Sequence, residues 1–286
     1  MHPVVFYVPG TDFPIRSFGL MVVLGFLLGS WVLPRLAARS DPGYASRAEG
    51  YAAVPVWVLI SIMIGARLLY VIVELGQGSQ VGRSYIENPL KVLYFWEGGL
   101  VMYGGTAGAV VGGILCCRKY RLPTASAVDV GTIAAFAGLV VGRIGCLLVG
   151  DDYGRVVPEE FRHLPFPITI RVPAELPDHS LFGAENAGQV LWATQIWMSF
   201  NVLVIALVGT WLLGRRRYPG QVFLVMMLAY SITRGLIEMF RGDAARGFWY
   251  GLSTSQWISL ALGLASLAFL IKNRKRREGP PAGPGP

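Results

Sequence analysis

The sequence predicts an all-α polytopic membrane protein of about seven transmembrane helices, with an outer, periplasmic-side head formed by long loops. Three observations lead there. Hydrophobic residues make up 53% of the 286 and charged ones only 15%, against roughly 25% charged in soluble domains, and the mean hydropathy is +0.51. The apolar residues fall in long blocks, near 17–37, 53–75, 99–117, 126–149, 190–213, 221–240 and 253–271. About 20 such residues cross a 30 Å hydrocarbon core as a helix. Cations collect in alternate connections between the blocks.

The first block is too long for a signal peptide, carries one arginine on its N-terminal flank and precedes six more, so it reads as a retained helix. Arg35, Arg39 and Arg47 surround the connection after it. The second block, ISIMIGARLLYVIVE, holds Arg67. Residues 76–98 then form a long connection with Pro89 and the run FWEGG. The third block, GGLVMYGGTAGAVVGG, repeats small residues at Gly104/Gly108 and Gly108/Gly112, a spacing that favours close helix packing. Within it Tyr103 is either a core or interface aromatic or offers its hydroxyl to a cavity. Arg118, Lys119 and Arg121 fill the next connection. The fourth block ends in VVGRIGCLLVGDDYGR, and residues 150–189, with five prolines, form a sizeable structure rather than a turn. Arg215, Arg216 and Arg217 fill the fifth connection; Lys272, Arg274, Lys275, Arg276 and Arg277 follow the last block. These four basic sites share one side of a seven-span chain, which puts the N-terminus outside and the C-terminus in the cytoplasm. The reading is one transmembrane domain over 1–275, with outer loops 76–98 and 150–189, and a disordered cytoplasmic tail over 276–286.

A net charge of +8 first suggests nucleic acid. Its confinement to short loops and the C-terminus is the positive-inside pattern instead, and no nucleic-acid partner is expected. Three cysteines, Cys116, Cys117 and Cys146, lack the spacing of a disulfide framework. His2, His163 and His179 lie outside the apolar blocks and no HExxH or CxxC occurs, so neither metal nor cofactor is expected. No internal repeat supports a transporter of inverted halves.

Ionisable residues inside the blocks carry the functional signal, since an arginine at a helix centre costs about 2.5–3.5 kcal/mol on insertion scales. Arg67 either bonds backbone carbonyls at a helix interface or meets a ligand. Arg143 either snorkels to the interface or binds. If its helix ran on to Asp151, about 12 Å would separate the two, too far to pair directly. Gly145, Gly150 and Gly154 let the chain bend there. In YSITRGLIEMFRGD, Arg234 and Glu238 share a helix face at i,i+4, with Arg241 three further on. That pair is either structural or functional. Arginines gathered near the outer leaflet suit a phosphate head group, which they bind bidentately while staying charged.

The order of these motifs, from SFGLMVVLGF through GARLLYVIVE, NPLKVLYFWEGG, GGLVMYGGTAG, Asp129, GRIGCLLVGDDYGR and ATQIW to TRGLIEMFR, resembles the phosphatidylglycerol–prolipoprotein diacylglyceryl transferase family over nearly the whole chain. The resemblance implies a multi-pass protein of the bacterial cytoplasmic (inner) membrane. Such an enzyme moves the diacylglyceryl group of phosphatidylglycerol onto the lipobox cysteine of a prolipoprotein signal peptide, leaving a thioether and glycerol phosphate. It implies partners in phosphatidylglycerol, lipobox signal peptides and the bilayer. It further implies catalytic roles for Arg143, Asp151, Arg234, Glu238 and Tyr103. Lipid contacts are implied at Arg143, Arg234, Arg67, Arg241, Gly104, Gly105, Gly142 and Gly145. Departures accompany it: Cys146 and Val149 stand where the family signature has asparagines, Asp151 where it has glutamate, and Tyr103 where histidine is usual. Met198 replaces a glutamate after the QIW run. Asp151 or Tyr103 is then the candidate base, and Cys146 is a buried filler rather than a nucleophile. The alternative is a non-catalytic phospholipid-binding or lipoprotein-handling membrane paralogue.

Overall fold

The computed structural model describes residues 1–11, 13–95, 98–242 and 248–275. The tail expected at 276–286, and Trp96 and Glu97 of the FWEGG run, lie outside the described residues. Among the described residues eight α-helices carry the fold: α1 (Ser17–Ser40), α2 (Tyr44–Gly76), α3 (Gln80–Glu87), α4 (Met102–Lys119), α5 (Thr124–Val149), α6 (Thr194–Leu213), α7 (Gln221–Glu238) and α8 (Thr254–Asn273). Three two-stranded antiparallel hairpins join them: β1 (Val4–Tyr7) with β2 (Pro14–Arg16), β3 (Thr169–Arg171) with β4 (Val190–Trp192), and β5 (Phe248–Trp249) with β6 (Leu252–Ser253).

Six described helices, α1, α2, α5, α6, α7 and α8, are long and apolar enough to cross a membrane. Their outward faces carry large apolar side chains, among them Leu27, Trp31, Ile64, Ile72, Phe200, Trp211, Leu264 and Phe269. So much exposed apolar surface fits lipid rather than water, and the chain is a multi-pass membrane protein. The expected third span, near 99–117, corresponds to α4. Its 18 residues include five glycines and end in Arg118 and Lys119, which lowers its hydropathy below that of the other six. Two further boundaries move. The helix expected from 53 starts at Tyr44, because the polar run before Pro55 is already helical. The block expected at 190–213 opens instead with β4, since Val190–Trp192 pairs with Thr169–Arg171, and α6 begins at Thr194.

Contacts divide the chain into two compact units, residues 1–36 with 128–286, and residues 37–127. In the second unit α2 packs along α4 with hardly a side chain between them. A Cβ on Gly65 would strike the Gly104 carbonyl, one on Gly104 the Gly65 carbonyl, and one on Gly108 the Ser61 carbonyl. Lipid tails are as apolar as leucine, so close backbone approach and dispersion replace the hydrophobic effect between helices. The packing reading of the glycine stripe is what the structure shows. Arg67, only 2% exposed, threads the loop before α4. Its Nε donates to the Val92 carbonyl (2.9 Å), Nη1 to those of Gly98 (2.6 Å) and Gly99 (3.3 Å), and Nη2 to that of Lys91 (2.8 Å). Where α1 meets α2, the Asp41 carboxylate accepts from the Gly43 N–H (2.9 Å), the Tyr51 hydroxyl (2.9 Å) and Arg47 (3.0 Å). Burial alone pushes that carboxyl up. The three donors outweigh burial and hold it below its ordinary value.

In the first unit α1 and α5 meet through Gly25 and Gly138, each against the other's carbonyl. Asp129 of α5 is fully buried and closes the start of α7, accepting from the Gly220 and Phe223 N–H groups (2.9 and 2.8 Å) and from Arg216 (2.9 Å). Residues 150–193 form a small cap whose core is Ile170, Val172, Phe182, Leu191 and Ala193.

Arg67→Ala leaves four loop carbonyls short of a charged donor. It is expected to cost about 3 kcal/mol and to lower the unfolding temperature in detergent, with Arg67→Lys restoring little because an ammonium cannot fork across the loop. An unchanged midpoint in Arg67→Ala would remove the anchoring role. Asp41 supplies a pH test. A carboxyl depressed in the folded state contributes its stability above its unfolded value, near 4, and loses it as pH falls through the folded value. Stability measured from pH 6 to 3 is expected to fall in the wild type and to flatten in Asp41→Asn.

Candidate functional site

The site is built at one end of α5 and α7, within the first unit. α5 stops at Val149, where the Gly150 and Asp151 N–H groups both donate to the Cys146 carbonyl at 2.9 Å. Gly150 (φ 80) and Asp152 (φ 55) are left-handed, so the chain folds back instead of running on. Glycine takes that conformation freely and aspartate tolerates it. Asp152 therefore reaches Arg143, nine residues earlier, and forms an ion pair with its Nη1. The Asp152 carbonyl accepts from the Thr194 hydroxyl at 2.8 Å, pinning the turn to the start of α6.

Beyond the turn the backbone is stitched on both sides. Gly154 N–H donates to the Trp192 carbonyl (3.2 Å), Arg155 N–H to that of Phe240 (2.8 Å) and Gly242 N–H to that of Tyr153 (3.0 Å). Gly154 faces Arg241 in this bridge, and a Cβ on Gly154 would strike Trp192. The register delivers Arg241 to the other oxygen of Asp152, where Nη2 forms a second ion pair. Trp192, Trp197 and Phe240 pack beside it with ring centroids 5.4–5.9 Å apart.

From Arg241 the charges continue along α7. Its Nε lies 3.9 Å from Glu238 Oε2, and Arg234 Nη1 lies 2.5 Å from the same oxygen. Glu238 Oε1 accepts from the Ser253 hydroxyl at 3.0 Å. Ser253 caps α8, with Gln256 returning the bond to its N–H at 2.9 Å. Three guanidiniums and two carboxylates thus alternate as Arg143, Asp152, Arg241, Glu238 and Arg234, all largely buried. Arg143 Nε is buried with no hydrogen-bond partner, while Arg234 Nη1 is held in its ion pair with Glu238. Gln195, beside Thr194 and completely buried, likewise has neither end of its amide bonded. The cluster keeps donors in reserve, and an anion with several oxygens is the ligand they suit.

The fold brings together Arg143, Arg234, Glu238 and Arg241, with Asp151 close by; its Oδ1 accepts the Asp152 N–H at 2.8 Å. Gly145 packs on Met21 and Phe18 of α1, while a Cβ at Gly142 would meet nothing. Tyr103, Gly104, Gly105 and Arg67 belong to the other unit. There Tyr103 is 46% exposed, Gly104 and Gly105 are packed against α2, and Arg67 holds its loop. Asp152 was not singled out from the sequence. Distances counted along a straight helix hid it, and the Gly-Asp-Asp order before Tyr153 was the available signal for a left-handed turn. Gln195 was equally hidden inside an apolar block.

Cys146 Sγ and one oxygen each of Asp151 and Asp152 lie within 4.8 Å of one another, a grouping that could in principle take a metal. Asp152 is already bound to two guanidiniums and Asp151 to a backbone N–H. A cation added there would meet two positive charges first, so the donor set does not suit one.

Sequence comparison supplies the family. The pattern of the family described as Prolipoprotein diacylglyceryl transferase matches residues 3–272. The chain belongs to the prolipoprotein diacylglyceryl transferase family. Relatives in this family include the phosphatidylglycerol–prolipoprotein diacylglyceryl transferase of Rhodospirillum rubrum, 30% identical over 279 residues, 96% of this chain and 92% of the relative. That of Geobacter sulfurreducens is 30% identical over 285 residues, 98% of each chain. That of Beijerinckia indica is 33% identical over 270 residues, 91% and 90% of the two chains. The resemblance read from the motif order is thereby borne out along the chain.

Asp152→Asn keeps the left-handed turn but withdraws the charge shared by Arg143 and Arg241. Breaking such a pair from one side costs about 3–5 kcal/mol. Its unfolding temperature is expected to drop well below that of Asp151→Asn, and equal midpoints would deny Asp152 the central place.

Proposed function

We propose that this protein transfers the diacylglyceryl group of phosphatidylglycerol to the lipobox cysteine of prolipoproteins at the bacterial inner membrane. The relatives named for that reaction align along nearly the full chain. The observation that carries the site assignment is Arg143, whose buried Nε has no hydrogen-bond partner, in one charge cluster with the buried Arg234. In the proposed topology α4 is a seventh span, the N-terminus is outside, and the cap of residues 150–193 forms the periplasmic-side head. The basic connections then face the cytoplasm.

In the reaction a sulfur–carbon bond forms at the glyceryl carbon while that carbon's bond to the phosphate oxygen breaks. Glycerol phosphate leaves with the bonding pair, and the thiol proton passes to a base. A free thiol has a pKa near 8.5, so a carboxylate or a positive field must favour the thiolate. Arg143 Nε and Arg234 would take the phosphate oxygens and stabilise the charge that grows on the leaving group. Glu238, fixed by Ser253, orients Arg234. Arg241 holds Asp152 and so keeps Arg143 aimed. Asp151 and Tyr103 are the candidate bases. Tyrosine's reference value near 10 makes Tyr103 better suited to hydrogen bonding.

The test is a mass-spectrometric transfer assay with purified protein, phosphatidylglycerol and a lipobox peptide. The wild type is expected to add one diacylglyceryl mass to the cysteine. Arg143→Ala and Arg234→Ala are each expected to lose at least about a hundredfold in rate, the scale of removing one donor to a developing anion, while still inserting. Bound lipid without product in the wild type would favour a non-catalytic paralogue. Full activity in both variants would overturn the assigned roles.

A further inference from the structure

A groove of about 420 Å³ runs between α7 and α8, lined by Ser231, Ile232 and Gly235 on one side and Gln256, Ser259, Leu260, Gly263 and Leu264 on the other. Its walls are mostly apolar, with Ser231, Gln256 and Ser259 as the polar residues. Ser231 is only 5% exposed, and its hydroxyl has no hydrogen-bond partner. Threonine hydroxyls on α5, α6 and α7 satisfy themselves at the carbonyl four residues back: Thr132 at Val128 (2.7 Å), Thr210 at Ala206 (2.8 Å) and Thr233 at Ala229 (2.9 Å). A hydroxyl kept unbonded in an apolar wall carries a desolvation cost, which an acceptor atom in the groove would remove.

We infer that this groove holds one acyl chain of the lipid substrate, with Ser231 donating to its ester carbonyl. The inference rests on the phosphatidylglycerol reading above. Two features select the occupant. The groove extends about 16 Å along α8 from Gln256 to Leu267. Spread over that length, about 420 Å³ makes a narrow trough. A helix is 10–12 Å across, so a single hydrocarbon chain is the occupant that the trough matches in width. One end of the groove also lies beside the charge cluster. That end, at Leu252 and Gln256, adjoins Ser253, which bonds Glu238. Ser231 lies three residues deeper on α7 than Arg234, about 4.5 Å. A lipid phosphate at Arg234 places its ester carbonyls at that next level down.

Gly235 keeps the groove open. A Cβ built there meets nothing within 4 Å, so Gly235→Leu can start its side chain in open space and narrow the groove. The full-length protein in lipid nanodiscs is tested with phosphatidylglycerol carrying a diazirine midway along one acyl chain. Phosphatidylcholine with the same chain is the control. Crosslinks are expected on Ile232, Leu260 and Leu264 with the first lipid, to fall in Gly235→Leu and to be weak with the second. In the transfer assay Gly235→Leu is expected to raise KM for phosphatidylglycerol about tenfold, equivalent to about two buried methylenes, with kcat little changed. Ser231→Ala is expected to shift KM in the same direction by less. Equal labelling by both lipids would mean ordinary boundary lipid and overturn the inference. So would labelling of the groove by a signal peptide instead, or an unaltered KM in Gly235→Leu. A wild type that labels selectively but transfers nothing would leave the groove standing and defeat the proposed reaction.

Discussion

Asp152 holds two guanidiniums at once, and the polar architecture of the first unit is organised around that double ion pair. Three arginines at membrane depth would cost about 8–10 kcal/mol together on insertion scales if each stood alone. Alternating them with carboxylates offsets much of this, because the attraction between charges strengthens in the low-dielectric interior that also makes each isolated charge costly. The geometry is then constrained from several directions. Asp152 must be left-handed to face back toward Arg143, Gly150 must be left-handed to bring it there, and Thr194 fixes the carbonyl. Arg241 arrives by backbone pairing with Gly154. The chain of charges ends at Ser253, so the cap of α8 is part of the same network.

Elsewhere the helices are joined by the absence of side chains. Gly25 with Gly138, and Gly65 with Gly104 and Gly108, bring backbone onto backbone. Rigid seams of this kind suit a protein that must present arginine donors in fixed positions, because preorganised donors need no rearrangement when charge develops. The α7–α8 seam is different. Gly263 closes on Ser231, but Gly235 faces open space, and a groove remains between the two helices.

The spans were legible because apolar blocks survive any uncertainty in their ends. Where a block misled, the cause was a non-local pairing. Val190–Trp192 is apolar enough to read as helix, yet its strand pairing is made with Thr169–Arg171, far back along the chain, which hydropathy does not see. Arg67 and Arg143 looked alike in sequence, each a single arginine in an apolar run. Only their neighbours separate them: backbone carbonyls surround the first, a carboxylate and an unbonded Nε mark the second. The family was legible from the shared order of modest motifs. Asp152 was not, because two positive-φ residues had to be known before its reach could be judged.

The exchange of glutamate for Asp151 can be read through the same turn. The Asp151 side chain accepts the N–H of the very next residue at 2.8 Å, a short-range bond that aspartate makes readily and that favours tight, left-handed turns. A glutamate carries one more methylene and would reach past that N–H. Asp151 therefore helps hold Asp152 in the conformation that pairs Arg143 with Arg241. Cys146 and Val149, where the resemblance implies side-chain amides, fit the same picture. Both are buried, the Cys146 carbonyl closes α5, and the Val149 carbonyl takes the Leu181 N–H at 2.8 Å. Side-chain amides at these places would add polar groups needing partners in a buried setting. With the aspartate turn in place, backbone groups and the paired arginines already supply the polar order of the site.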